Sequence, residues 1–190
     1  MRLDHIAYRV KNRHETAKLL NLMFGYTVGT EFDIQFDDGS KAECCAMVPP
    51  EKQNKISNIL DIPWTHYVAG IDTPLEYHLA PEIFISDGSP GSIVGDWVAA
   101  RESGGIHHMA YMVDDIETIV KDWKKTGVKF LTDDVIDCPE DELRQIFTKP
   151  LNELGGIIIE LIERGDKGFC QNSVKNLMES TKDLNHRSQA

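Results

Sequence analysis

Eight residues near the N-terminus occur twice. Leu3-Asp4-His5-Ile6-Ala7-Tyr8-Arg9-Val10 returns as Ile106-His107-His108-Met109-Ala110-Tyr111-Met112-Val113, at a constant offset of 103 residues. Both copies alternate with period two and carry β-branched and aromatic residues, so both predict strands. Each is followed by helical spacing that stops at a glycine. In the first copy this is His14–Phe24, with Ala17, Leu20 and Phe24 on one stripe before Gly25. In the second it is Asp115–Thr126, with Ile116, Ile119, Val120 and Trp123 on the stripe before Gly127. Strand-like runs then follow at Tyr26–Asp37, Ala42–Val48 and Glu82–Ser86 in one half, and at Val128–Leu131, Arg144–Lys149 and Gly156–Ile162 in the other. Each half therefore reads as a strand, a helix and three strands, an α+β plan closed by an amphipathic helix over Gly168–Leu184. The boundaries that follow are a first module over 1–88 with an inserted loop at 49–80, a linker over 89–104, a second module over 105–164, and a C-terminal helix and tail over 165–190.

Composition narrows the partners. The 190 residues carry a formal net charge of −11 with no Lys/Arg cluster, which argues against nucleic acid and anionic membrane surfaces. The longest apolar runs, such as Gly155–Leu161, fall far short of the ~20 residues a membrane span needs. Strand-like sequence begins directly after Met1, so no signal peptide is expected and the reading is cytoplasmic. Cys44, Cys45, Cys138 and Cys170 form no C-x-x-C pair and read as reduced structural thiols.

Alternation assigns faces. In the first repeat strand Ile6, Tyr8 and Val10 would cover the helix, leaving His5, Ala7 and Arg9 on the other face. In the second, Met109, Tyr111 and Val113 take the helix side and His108 and Ala110 the opposite one, with His107 pointing away from His108. If the two halves pair their sheets, His5 and His108 converge across a pseudo-twofold axis, and small Ala7 and Ala110 leave room beside them. Glu160 interrupts the apolar run Ile157–Ile162, where a carboxylate is costly to bury unless it is paired or coordinated. Two histidines and one carboxylate make the facial donor set of non-haem Fe(II) oxygenases, and the same set suits Zn, Ni or Co. Glu82, read as the first-half counterpart of Glu160, is a fourth ligand or a base in this scheme. His66 and His78 lie in the inserted loop, and His14 and His186 read as surface residues.

With Leu-Asp-His5-Ile-Ala-Tyr and Gly-Ile-His-His108-Met-Ala-Tyr in hand, the chain resembles the vicinal oxygen chelate superfamily over residues 1–164. That resemblance implies two paired βαβββ modules forming one cupped mixed sheet around a divalent metal. The second half is similar to the metal-bearing half of the 4-hydroxyphenylpyruvate dioxygenases, through Gln145-Ile146-Phe147-Thr148-Lys149-Pro150, Ile159-Glu160-Leu161-Ile162-Glu163-Arg164, and Gly168-Phe169 opening the last helix. It implies Fe(II) on His5, His108 and Glu160, with Zn, Ni, Co or Mn as alternatives, substrate contact by Gln145 and aromatic stacking by Phe147. Ser173 stands where those enzymes carry an aromatic, which points to a small keto- or enolisable acid bound through two oxygens, with hydroxyphenylpyruvate an imperfect fit; Trp64, Tyr67 and Tyr77 of the loop are candidates for the missing wall. The segment Glu82–Tyr111 reads more like the epimerase branch. The functions implied are a dioxygenase acting on a 2-keto acid, a glyoxalase- or methylmalonyl-CoA-epimerase-like isomerase or lyase, or a non-catalytic ligand-binding module. The partner expected is a small molecule, with a homodimer an open option.

Overall fold

The two repeat strands lie side by side and antiparallel at the centre of one sheet. The computed structural model describes residues 1–50, 80–165 and 170–182, together with two isolated two-residue strands. Its elements are β1 (Arg2–Arg9), α1 (Arg13–Phe24), β2 (Thr27–Gln35), β3 (Lys41–Val48), β4 (Thr65–His66), β5 (Leu75–Glu76), β6 (Glu82–Asp87), α2 (Ile93–Ala99), β7 (Gly105–Met112), α3 (Ile116–Lys125), β8 (Ile136–Cys138), β9 (Leu143–Phe147), β10 (Ile158–Arg164) and α4 (Gln171–Ser180). Eight strands form a mixed sheet in the order β2-β3-β6-β1-β7-β10-β9-β8, curled into a half-barrel, and β4 pairs with β5 apart from it. The order reads the same outward from the β1–β7 seam. In each half the repeat strand pairs parallel with the last strand of its own module, β1 with β6 and β7 with β10.

Helices cover both faces, and they divide by role. Asn12 caps α1 by accepting from the His14 and Glu15 amides, and Gly25 ends it at φ 75°. Ala17 and Leu20 of α1 pack on Tyr8, Val10, Ile83 and Ile85, the outer side of the first half. Ile116 and Val120 of α3 pack on Tyr111, Val113, Ile146 and Leu161, the outer side of the second. Ile116, Ile146 and Leu161 are wholly buried, each worth about 1.5–3 kcal/mol in area removed from water. The inner face is covered by α2 and α4. Trp97 and Val94 of α2 meet Ala7, Phe84 and Met178, and Leu177 of α4 meets Phe147 and Ile158.

Three expectations need correction. Phe24 leaves the α1 stripe and is 56% exposed, because it is the last helical residue and the left-handed Gly25 turns the chain directly after it. Val128–Leu131 forms only an isolated bridge, Phe130 to Thr148, and the outermost strand of the second half is β8 instead. The stretch read as a linker contains α2, capped by Ser92 accepting from the Gly95 amide, and all four of its large apolar residues are buried. Trp64, Tyr67, Tyr77, His78, Gly168, Phe169 and His186, and the side chain of His66, lie outside the described residues.

Candidate metal centre

Backbone irregularity builds the site. On β1, Leu3 pairs with Tyr111 and His5 with Ala110, so Asp4 is an extra residue without a partner. On β7, Ala7 pairs with His108 and Tyr8 with Ile106, so His107 is the extra residue. A bulge swings its strand locally and re-aims side chains. Both bulges immediately precede a histidine, at equivalent places in the repeat. Alternation had put His107 on the outer face. Within the bulge it instead lines the inner cup next to His108.

The consequences are convergent. The Nδ1 of His5 lies 2.9 Å from Asp4 Oδ1, and the Nδ1 of His108 lies 3.0 Å from His107 Nδ1. With both Nδ1 atoms engaged, both Nε2 atoms turn to Glu160, at 3.4 Å from His5 and 3.5 Å from His108 to the same Oε2. One donor atom from each of the three residues falls within 4.8 Å of the others, and all three side chains are buried. Glu160 is delivered by register: it pairs with Ala110 on one side and Phe147 on the other, and His5 pairs with Ala110 from across the seam.

Protonation follows the neighbours. Burial alone would lower the His5 pKa; Glu160 and Asp4 override it and raise it to about 9. His108 is held well below the ordinary value by burial, with His5 and Arg9 adding to the effect. His107 is lowered likewise by burial, then Arg9, His108 and Arg101. A neutral His107 has one ring nitrogen free to accept, so His108 can donate Nδ1–H to it and keep Nε2 bare.

This donor set fits a divalent ion. Ligand atoms at ~2.1 Å from a metal in octahedral or tetrahedral array sit roughly 3.0–3.4 Å apart, and the observed Nε2–Oε2 separations are 3.4 and 3.5 Å. Outer partners on the far ring nitrogens are the usual companions of metal-bound histidines.

The remaining candidates are distributed unevenly. Gln145 and Phe147 both line the cup. Phe147 sets its ring edge against His108 with centroids 6.0 Å apart, and Gln145 donates through Nε2 to Ser173 Oγ on α4. Glu82 does not hold the place of Glu160. Ala7 pairs with Phe84 just as Ala110 pairs with Glu160, so Phe84 is the counterpart, and Glu82 corresponds to Ile158. The Glu82 carboxylate accepts from Arg164 Nη2 at 3.0 Å, and Arg164 Nε reaches Asp4 at 3.0 Å. Sequence reasoning passed over Asp4 and Arg9. The repeat signalled the first, which aligns with His107, and parity the second, which shares the face of His5.

The comparisons agree with this architecture. The model of the Glyoxalase/Bleomycin resistance protein/Dioxygenase superfamily matches residues 4–147. No curated protein matches by sequence. Among solved structures, a triple mutant of 4-hydroxymandelate synthase from Streptomyces coelicolor superposes with a TM-score of 0.70 at 19% identity, covering 96% of this chain. This chain spans only 54% of that enzyme's length. A methylmalonyl-CoA epimerase superposes with a TM-score of 0.58 at 21% identity, covering 87% of this chain and 97% of its own. The methylmalonyl-CoA epimerase from Mycobacterium tuberculosis gives 0.55 at 17%, covering 86% and 87%. No described helix is long and apolar enough to cross a membrane. The family match over most of the chain, on a doubled βαβββ sheet with the site at its seam, makes this protein a member of the Glyoxalase/Bleomycin resistance protein/Dioxygenase superfamily, the vicinal oxygen chelate fold.

Proposed function

We propose that the chain is a metal-dependent dioxygenase of the 4-hydroxyphenylpyruvate dioxygenase type, acting on a 2-keto acid. The observation that carries this reading is a donor set that stops at three: His5, His108 and Glu160 converge, while Phe84 stands where symmetry would supply a fourth ligand. A set of three protein donors leaves coordination positions for substrate. When bound, the ion, with Fe(II) first among those the set suits, would supply Lewis acidity to two neighbouring ligand oxygens and, as iron, the electrons for dioxygen chemistry.

The chain's own residues do the rest. His5 and His108 would hold the ion through Nε2, with Asp4 and His107 fixing their rings. Glu160 contributes one negative charge, so a divalent ion keeps a net positive charge that favours an anionic ligand such as a 2-keto carboxylate. Phe147 would pack on the body of that ligand and Gln145 hydrogen-bond it after parting from Ser173. Val174, Leu177 and Met178 of α4 face the cup and exclude water. As it stands the cup leaves about 20 Å³, room for one water, so these side chains must withdraw to admit a substrate.

The epimerase-like reading requires a base beside the ligand. Among the described residues that line the cup, Glu160 is the only carboxylate, and that of Glu82 is held by Arg164. The test is oxygen consumption by the chain purified without oxygen and loaded with Fe(II), across a panel of aromatic and aliphatic 2-keto acids. Oxygen uptake matched by release of carbon dioxide is expected. No uptake, together with exchange of the α-proton of an acyl thioester for deuterium by the cobalt-loaded chain, would establish the isomerase reading instead.

A further inference from the structure

Arg9 is the one arginine of β1 whose parity turns it into the cup. It lies four residues beyond His5 on the same face, roughly 13 Å along the strand, with only Ala7 between them. The strand end that carries it is tightly built: Gly104 opposite adopts φ 81°, and a Cβ there would fall 2.1 Å from the Arg9 carbonyl oxygen. The side chain lines the cup and is 2% exposed.

Its partners are few. Nη2 reaches Thr181 Oγ1 at a long 3.4 Å, the guanidinium stands 5.5 Å from the centre of the Trp97 ring, and Nη1 is buried without a hydrogen-bond partner among the described residues. Among the described residues, no carboxylate forms an ion pair with it. The other arginines tied into the fold are treated differently. Arg164 has Asp4 and Glu82, Arg13 has Asp87 and Glu43, and Arg144 has Glu163 and Glu117. Among the described residues the charged neighbour of Arg9 is itself positive: Arg101 lies over the same indole at 3.8 Å. Burial and Arg101 both work against its positive charge. A guanidinium has five donors in a planar fork matched to a carboxylate, and a buried one left without an anion is an arrangement that a fold retains at a cost.

We propose that Arg9 binds a second carboxylate of the ligand, so that the cup takes a short dicarboxylic 2-oxo acid, chelated at one end and held by Arg9 at the other. This rests on the metal-site reading above. The carboxylate would take the Nη1 donor, neutralise the positive end of the cup, and sit beside the Ser86 hydroxyl, which lines the same wall.

The test measures binding, not turnover. The cobalt-loaded chain is titrated without oxygen against 2-oxoglutarate and 2-oxopentanoate, which differ in the distal carboxylate, with oxaloacetate and 2-oxoadipate as length variants. A charge-assisted pair at a buried site predicts at least one dicarboxylic acid bound about 10- to 100-fold more tightly than 2-oxopentanoate. Arg9→Met, of similar length and apolar, should bring the two classes within threefold of each other while cobalt affinity stays unchanged. Arg9→Lys should retain part of the preference. The preference should also appear as a larger rise in Tm of the wild type with dicarboxylic acid, absent in Arg9→Met. Equal affinity for both classes in the wild type, or a preference that survives Arg9→Met, overturns the proposal. A chain that fails to take up cobalt at all overturns the metal reading instead. In that case the same Tm comparison on the metal-free protein still decides for or against Arg9.

Discussion

Asp4 and His107 perform the same task in the two halves. Each is the unpaired residue of a bulge, each precedes a candidate ligand, and each engages that ligand's Nδ1, at 2.9 Å for Asp4 and 3.0 Å for His107. One is an anion and the other a neutral ring, so the two halves reach one ring orientation with different chemistry. The carboxylate also brings Arg164, at 3.0 Å, and through it Glu82, which ties the start of β6 to the end of β10.

If these residues orient the ligands, removing either should weaken metal binding without unfolding the chain. Asp4→Asn keeps an acceptor but loses the charge; His107→Phe keeps the ring against Trp97 but loses the acceptor. Each is expected to reduce affinity for Zn(II) or Co(II) about 10- to 100-fold. Competition against a chromogenic chelator measures it. Affinities unchanged in both variants would show that the contacts are incidental.

The doubled strand, its parity and the carboxylate that interrupts the apolar run of β10 were enough to bring His5, His108 and Glu160 to one face from sequence alone. They misplaced His107 because alternation assumes an unbroken ladder, and a bulge, which costs one residue of register, is not marked in the sequence. Glu82 was matched to Glu160 without a pairing register to count from, and the pairs show an offset of two residues. The helix α2 was hidden in a stretch rich in Gly, Ser and Pro, whose turn chemistry outweighed the short apolar pattern Ile93-Val94…Trp97-Val98. Arg9 could be placed on the correct face but not judged, since whether a buried cation has a partner is a property of the assembled core.

Arg164 should matter for stability more than its peripheral place suggests. Its side chain is 8% exposed and it neutralises Asp4 and Glu82, themselves 4% and 16% exposed. Arg164→Met would remove the cation shared by two carboxylates, and breaking a buried pair from one side costs about 3–5 kcal/mol. Urea unfolding should show that loss, and adding Glu82→Gln to the variant should recover part of it. A single variant as stable as the wild type would mean that water reaches these groups.

The thiols of β3 set an alkaline limit. Burial raises Cys44 to about 12 and Cys45 to about 11, with nearby carboxylates adding to both. A thiol raised in the folded state stays protonated where the unfolded chain has released its proton, so its contribution to stability is constant below about pH 9 and falls as the pH rises beyond it. The expected slope approaches ~1.4 kcal/mol per pH unit for each such thiol. Urea midpoints at pH 8 and pH 10 should differ in the wild type and differ less in Cys44→Ala. Equal losses in both would assign the alkaline sensitivity to other groups.

Phe84 gives the sharpest test of the three-donor reading. It occupies on β6 the register place that Glu160 occupies on β10, and it is 3% exposed against the wall of the cup. Phe84→Glu therefore directs a carboxylate at the same point from the opposite half. Without metal this carboxylate is buried beside Glu160, and the variant should unfold at lower temperature than the wild type. With Zn(II) or Co(II) the order should reverse, because the added ligand joins the set and raises affinity at least tenfold. The same substitution closes a coordination position, so binding of 2-keto acids to the metal-loaded variant should fall even as the metal is held more tightly. Stronger metal binding with weaker keto-acid binding would establish both the pseudo-twofold placement of the site and the need for an open position. A variant that binds metal no better than the wild type, while remaining folded, would show that the two halves do not aim at a common point.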